Sequence, residues 1–193
     1  MNQPINIVLN NNGMITKQFS SQFMIITNSN GTELDDQIKS AEQFHDSLDF
    51  EKSMLAYEQS LILIKDSKNK KKSEIYCRIG NLFFDKNNKN KDFEKAKQYY
   101  SKAITIDEKN PIFYCNIGIT EDYLQNFDQA IIYFEKCLSL LKNDQIELKI
   151  KTYERIAKTL FKMKNYKKLS EILNTLKDIF PNSKYLNLFK EYQ

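Results

Sequence analysis

Glycine is scarce, with four in 193 residues, and none belongs to a phosphate-cradling loop or a nucleophile elbow. Histidine is scarcer. The single His45 has no cysteine or second histidine near it, so metal-ligand spacing is missing and a solvated or packed imidazole is expected. Three cysteines form no CxxC pair, and no signal peptide or long apolar run is present. These features lead to the expectation of a reduced, cytoplasmic chain with no membrane span. The carboxylates are scattered over polar helix faces, without the paired apolar setting that shifts a pKa. The formal net charge of +4 is small, short of the clustered basic face that nucleic acid requires. The chain is therefore expected to be no enzyme, to need no metal or cofactor, and to bind no nucleic acid. Oligomeric state is left open.

What the chain does have is a recurring apolar pattern. In residues 111–144, Tyr114, Ile117, Gly118, Phe127, Ala130, Phe134 and Cys137 fall three or four apart on either side of a polar break at Gln125-Asn126. That spacing predicts two amphipathic helices. Gly118 and Ala130 are placed where the helices cross, because small side chains let backbones approach to about 8 Å. Asn110 before Pro111 reads as a cap and first turn, and Asn126 with Gln129 reads as a capping box. The break recurs as Asp49-Phe50, Asp92-Phe93 and Asn165-Tyr166, each with its flanking pattern. Residues 73–110 carry Tyr76, Ile79, Gly80, Phe83, Ala96, Tyr100 and Ala103, and residues 150–183 carry Tyr153, Ile156, Ala157, Leu160, Leu169, Leu173 and Pro181. Residues 34–67 are the weakest copy, with polar Gln37 and Ser40 where large apolar residues belong.

This series, aromatic–Leu–Gly–Tyr and then Ala–Phe–Ala, resembles the tetratricopeptide repeat, a unit of about 34 residues. The resemblance implies an all-α fold, a right-handed α-solenoid of four helical hairpins (34–67, 73–110, 111–144, 150–183) whose first helices line an inner groove. The third copy departs from the pattern at Glu121 and Lys142. An insertion within 85–91 lengthens the turn of the second copy and reads as a polar tip without an apolar anchor. About five extra residues precede the fourth copy.

Residues 1–33 form a leader. Its segments at 5–9, 14–19 and 22–27 are readable as extended pieces around an Asn-Asn-Asn-Gly turn, as a helix across Met14–Ile26, or as disorder. Thr32 is the expected cap of the first helix, whose inner stripe is Leu34, Ile38, Ala41, Phe44 and Leu48. Asp144 with Glu147 reads as the capping box of the fourth hairpin. Residues 184–193 are expected to close the array as a capping helix, with a partner-binding helix as the alternative.

The resemblance also assigns a groove. The second, fifth, sixth and ninth positions of each first helix point into it: Glu74, Cys77, Arg78 and Asn81; Ile112, Cys115, Asn116 and Ile119; Lys151, Glu154, Arg155 and Lys158. Both arginines of the chain, Arg78 and Arg155, occupy sixth positions. A guanidinium offers a planar fork suited to carboxylates. Asn81, Asn116, Lys151 and Arg155 match the carboxylate clamp of co-chaperone tetratricopeptide domains, which holds the acidic C-terminus of heat-shock chaperones, while Cys77 stands where that clamp has lysine. The implied partner is a protein or peptide, a chaperone C-terminus among the candidates. Two alternatives stay open. The arginines could pair with groove acids such as Glu74, Glu121 or Glu154, or the chain could be a scaffold subunit of a larger assembly, using the apolar Ile112 and Ile119.

Overall fold

The computed structural model describes residues 7–9, 15–19, 22–25, 32–182, 186–187 and 189. Three short strands, β1 (Ile7–Leu9), β2 (Ile15–Phe19) and β3 (Gln22–Ile25), pair antiparallel in that order, Val8 opposite Thr16 and Lys17 opposite Met24. The helical alternative for that stretch does not form. The remainder of 1–31, including the Asn-Asn-Asn-Gly turn, lies outside the described residues.

Among the described residues eight helices of the array follow: α1 (Thr32–Asp46), α2 (Phe50–Leu63), α3 (Lys70–Phe84), α4 (Phe93–Ile106), α5 (Pro111–Tyr123), α6 (Phe127–Leu140), α7 (Ile146–Lys162) and α8 (Tyr166–Ile179). The packing runs along the chain, each helix against the one before and the one after, with an added contact between α5 and α7. Such nearest-neighbour packing is that of a solenoid, and the architecture is the expected all-α array of hairpins.

Polar side chains start most of the helices. Asp49, Asp92 and Asn165 accept the amide of the residue three further on, at 3.2, 3.0 and 3.2 Å. Asn110 accepts from Ile112 ahead of α5, with Pro111 in the first turn. Two expected boxes are not made. Asn126 makes no capping bond and instead donates Nδ2 to the Glu121 carboxylate at 2.8 Å. In α7 the flanking residue is Gln145, without a side-chain cap, and Glu147 pairs with Lys151 one turn on. The extra residues before the fourth hairpin thus lengthen α7 rather than forming a loop. At the other end, α1 begins at Thr32 itself, so its cap falls outside the described residues.

Tight turns join the two helices of hairpins one, three and four. Leu48, Gln125 and Lys164 adopt left-handed φ values of 62, 65 and 56°. The next amide in each case reaches back five residues, from Asp49 to Phe44, Asn126 to Glu121 and Asn165 to Leu160. This is the Schellman arrangement that satisfies orphan carbonyls at a helix end. Leu48, expected in the inner stripe of α1, is therefore a turn residue, 55% exposed.

The crossing points are built as the spacing predicts. A Cβ on Gly118 would lie 2.7 Å from the Phe134 ring and 3.2 Å from the Ala130 carbonyl, and one on Gly80 would lie 2.5 Å from the Tyr100 ring. In the fourth hairpin the corresponding pair is Ala157 with Leu173, both fully buried. In hairpins two and three the ring lies so close that the facing position is glycine, in the fourth a leucine leaves room for alanine, and the first pairs buried Ala41 with buried Tyr57. The core is a continuous series of such layers, which Leu186 and Phe189 extend against the fourth hairpin. Most of the expected C-terminal cap lies outside the described residues.

Candidate functional site

The inter-helix segment of the second hairpin, a polar tip without an apolar anchor, is held in place by polar contacts instead. Asn88 is buried, donates Nδ2 to the Leu82 carbonyl at 2.8 Å and accepts the Asn90 amide at 2.9 Å. Asp85 accepts the Asn87 amide at 2.7 Å and pairs with His45 Nε2 of α1 at 3.2 Å. His45 also packs on the Phe50 ring, centroids 5.5 Å apart. Burial works to raise the Asp85 pKa, but the Asn87 amide and His45 together hold it below the usual carboxylate value. No local signal joins His45 to a carboxylate forty positions later, so only the stacking of hairpins reveals the pair.

Along the expected groove the structure separates the candidates into three groups. Arg78 forms an ion pair with Glu42 of α1 rather than with Glu74, Glu121 or Glu154. Together with His45, Asp46, Tyr57 and Asn81 the pair lines a cleft of about 260 Å³. Glu121 is not a groove acid at all. Its carboxylate is buried against Lys97 Nζ at 3.4 Å and Asn126 Nδ2 at 2.8 Å, which explains why Asn126 does not cap. A buried charge requires such partners.

The second group is an amide network. Asn116 Nδ2 donates to Cys77 Sγ at 3.3 Å and reaches Asn81 Oδ1 at 3.5 Å, while the Tyr100 hydroxyl donates to the same Asn81 oxygen at 2.9 Å. The asparagines of adjacent first helices therefore face one strip. Cys77 and Cys115 are both buried, Cys77 in the core cluster of hairpins two and three and Cys115 in that of the last two. Burial raises the Cys77 thiol to about 11, so it stays neutral and cannot stand in for a clamp lysine. Cys115 is the opposite case. Its hydrogen bond with Cys137 works to lower its thiol pKa against the effect of burial, with Thr152 and the Arg155 charge assisting.

The third group comes from the fourth hairpin. Lys151 is exposed and pairs with Glu147 on its own helix at 2.6 Å. Arg155 is half-buried and makes no ion pair with a carboxylate among the described residues, and Lys158 lies one turn further along α7. Ile112 is 46% exposed at the start of α5, whereas Ile119 is partly buried against the core of the last two hairpins. Sequence alone missed Asp122, which accepts Thr159 Oγ1 at 2.9 Å, pairs with Lys162, and so ties α5 to α7.

Among the described residues no cluster of His, Cys, Asp or Glu could hold a metal ion, and no helix is long and apolar enough to cross a membrane. Stacked helical hairpins with a polar inner strip define an α-solenoid of the peptide-binding type of architecture. Residues 73–110 and 112–144 match the tetratricopeptide repeat family. The fold is similar to the tetratricopeptide domain of Arabidopsis OM64, at 23% identity over 64% of this chain and 95% of that one, with a TM-score of 0.52. It is also similar to the N-terminal domain of stress-induced protein-1 (STI-1) from C. elegans, at 22% identity over 64% and 95% with a TM-score of 0.58. A third similar structure is the first tetratricopeptide domain of Spaghetti (RPAP3) bound to the HSP90 peptide SRMEEVD, at 19% identity over 64% and 94% with a TM-score of 0.53. At these identities the likeness is one of fold. Tetratricopeptide domains are protein-interaction modules, generally without catalysis.

Proposed function

We propose that this chain is a non-catalytic cytoplasmic adaptor, with residues 34–183 as the binding unit and 184–193 as its cap, that holds an acidic peptide C-terminus in the groove of hairpins two to four. The observation that carries this reading is the strip formed by Asn81 and Asn116, whose amides meet at 3.5 Å between the first helices of adjacent hairpins, with Lys151 and Arg155 on the next first helix. Two amides and two cations suit a terminal carboxylate, because charge-assisted hydrogen bonds to a guanidinium fork are strong and directional. The similar Spaghetti (RPAP3) domain was solved with a peptide of that chemistry. Arg78 does not join the clamp, being engaged by Glu42.

Isothermal titration with a peptide ending in Glu-Glu-Val-Asp tests this reading. Micromolar affinity is expected, weakened by salt and reduced at least about tenfold (~1.4 kcal/mol) in Lys151→Ala/Arg155→Ala. Amidating the terminal carboxylate should abolish binding, and unchanged affinity after amidation sinks the proposal. A scaffold role is favoured by one observation, the exposure of Ile112 at the start of α5 and of Ile62 and Ile132 on second helices. A fixed stoichiometric complex recovered from cell extract, lost in Ile112→Asp but not in Lys151→Ala/Arg155→Ala, would select it.

A further inference from the structure

Beyond the amide strip, at the turn end of hairpins two and three, three rings from three helices converge. Phe84 at the end of α3, Phe93 at the start of α4 and Tyr123 at the end of α5 have centroids 5.1–5.4 Å apart, Phe84 and Tyr123 edge to face. Tyr123 is 55% exposed, so the cluster is open to solvent rather than a plug of the core. The 85–91 segment forms the facing wall and encloses with the rings a cleft of about 370 Å³. That volume is at the small end of ligand-binding clefts, room for one large side chain and not for a helix. The wall is fixed in place by the buried Asn88 and by the Asp92 amide, which donates to the Phe83 carbonyl at 2.9 Å. The other hairpins turn within three residues and have no such wall.

The charge on this wall decides what fits. Lys86 and Lys91 line the cleft, are exposed, and make no ion pair among the described residues. The one carboxylate of the lining, Asp85, is engaged by His45 and the Asn87 amide. An aromatic floor edged by two lysines that make no ion pair, against a single carboxylate held by its own partners, is complementary to a bulky apolar side chain flanked by acidic residues. We propose that this cleft is a second peptide-docking site, which takes one large apolar side chain of an acidic segment in a partner protein. It acts independently of the Lys151/Arg155 strip and recognises side chains rather than a terminal carboxylate.

The probe is an acetylated, C-terminally amidated peptide with a central phenylalanine between runs of Asp and Glu, labelled for fluorescence anisotropy. Saturable binding is expected, weakened about tenfold by Tyr123→Ala and again by Lys86→Glu/Lys91→Glu, since central aromatic anchors dominate such contacts. Replacing the peptide phenylalanine by alanine, or its acids by amides, should cost a similar factor. Circular dichroism of each variant should match the parent, because Tyr123, Lys86 and Lys91 are all exposed. Absence of saturable binding overturns the proposal, as does binding indifferent to Tyr123→Ala and the lysine reversal. Loss of the probe in Lys151→Ala/Arg155→Ala would assign it to the strip instead and equally overturn a separate site. Because the probe lacks a free carboxylate terminus, failure here leaves the Glu-Glu-Val-Asp titration to stand or fall by itself.

Discussion

Replacing Gly118 by alanine pits two known effects against each other. Alanine is a better helix former than glycine by about 1 kcal/mol, so an isolated helix would gain. In this fold the new Cβ would stand 2.7 Å from two carbons of the Phe134 ring and 3.2 Å from the Ala130 carbonyl. Phe134 has no solvent-facing side on which to retreat, and the carbonyl belongs to the helix it would have to push away. Overpacking of this kind costs about 1–3 kcal/mol, so after the helix-forming gain the net expectation is destabilisation by about 1 kcal/mol, at most about 2. The fourth hairpin suggests the cure, since Ala157 and Leu173 occupy the same two places. In a Phe134→Leu background, which alone should cost about 1–2 kcal/mol, Gly118→Ala should be neutral or stabilising. The coupling between the two changes is then about 2 kcal/mol. Urea denaturation followed by far-ultraviolet circular dichroism measures each corner of the cycle. Amide exchange in α5 and α6 should report the loss locally, because a repeat array can open in pieces. A wild-type background stabilised by Gly118→Ala, or additive effects of the two substitutions, would refute the crossing-point reasoning.

Lys164→Gly removes an exposed side chain from a left-handed φ of 56° and should stabilise the fold by up to about 1 kcal/mol, read as a higher urea midpoint. Stability should also fall in acid with a specific contribution from Asp85. Its folded-state pKa is depressed, so its contribution is complete above the ordinary carboxylate value near 4 and disappears as pH falls through the lower folded value. Asp85→Asn should therefore lower the midpoint at neutral pH and make its decline on acidification shallower, a difference measured by urea titrations at several pH values.

Much of this molecule was readable from residue order because a helical hairpin is a local object. Spacings of three and four fix which face of each helix is apolar, and Asp49, Asp92, Asn110 and Asn165 act on amides two or three positions away. Gly80 and Gly118 announce a close crossing for the same reason: their partners Tyr100 and Phe134 lie within one hairpin. Polar groups with a choice of partner were decided otherwise. Asn126 had a capping role available and gave its amide to a buried Glu121; Arg78, with several acids as candidates along the chain, took Glu42 from the preceding hairpin. The 85–91 segment had no apolar anchor to show in its composition, yet Asn88 and Asp85 secure it through a carbonyl of α3 and the histidine of α1. Apolar patterning acts over a helical turn and is written along the chain, whereas the pairing of charges and amides depends on which groups the stacked hairpins bring within about 3 Å, and only the tertiary structure sets that distance.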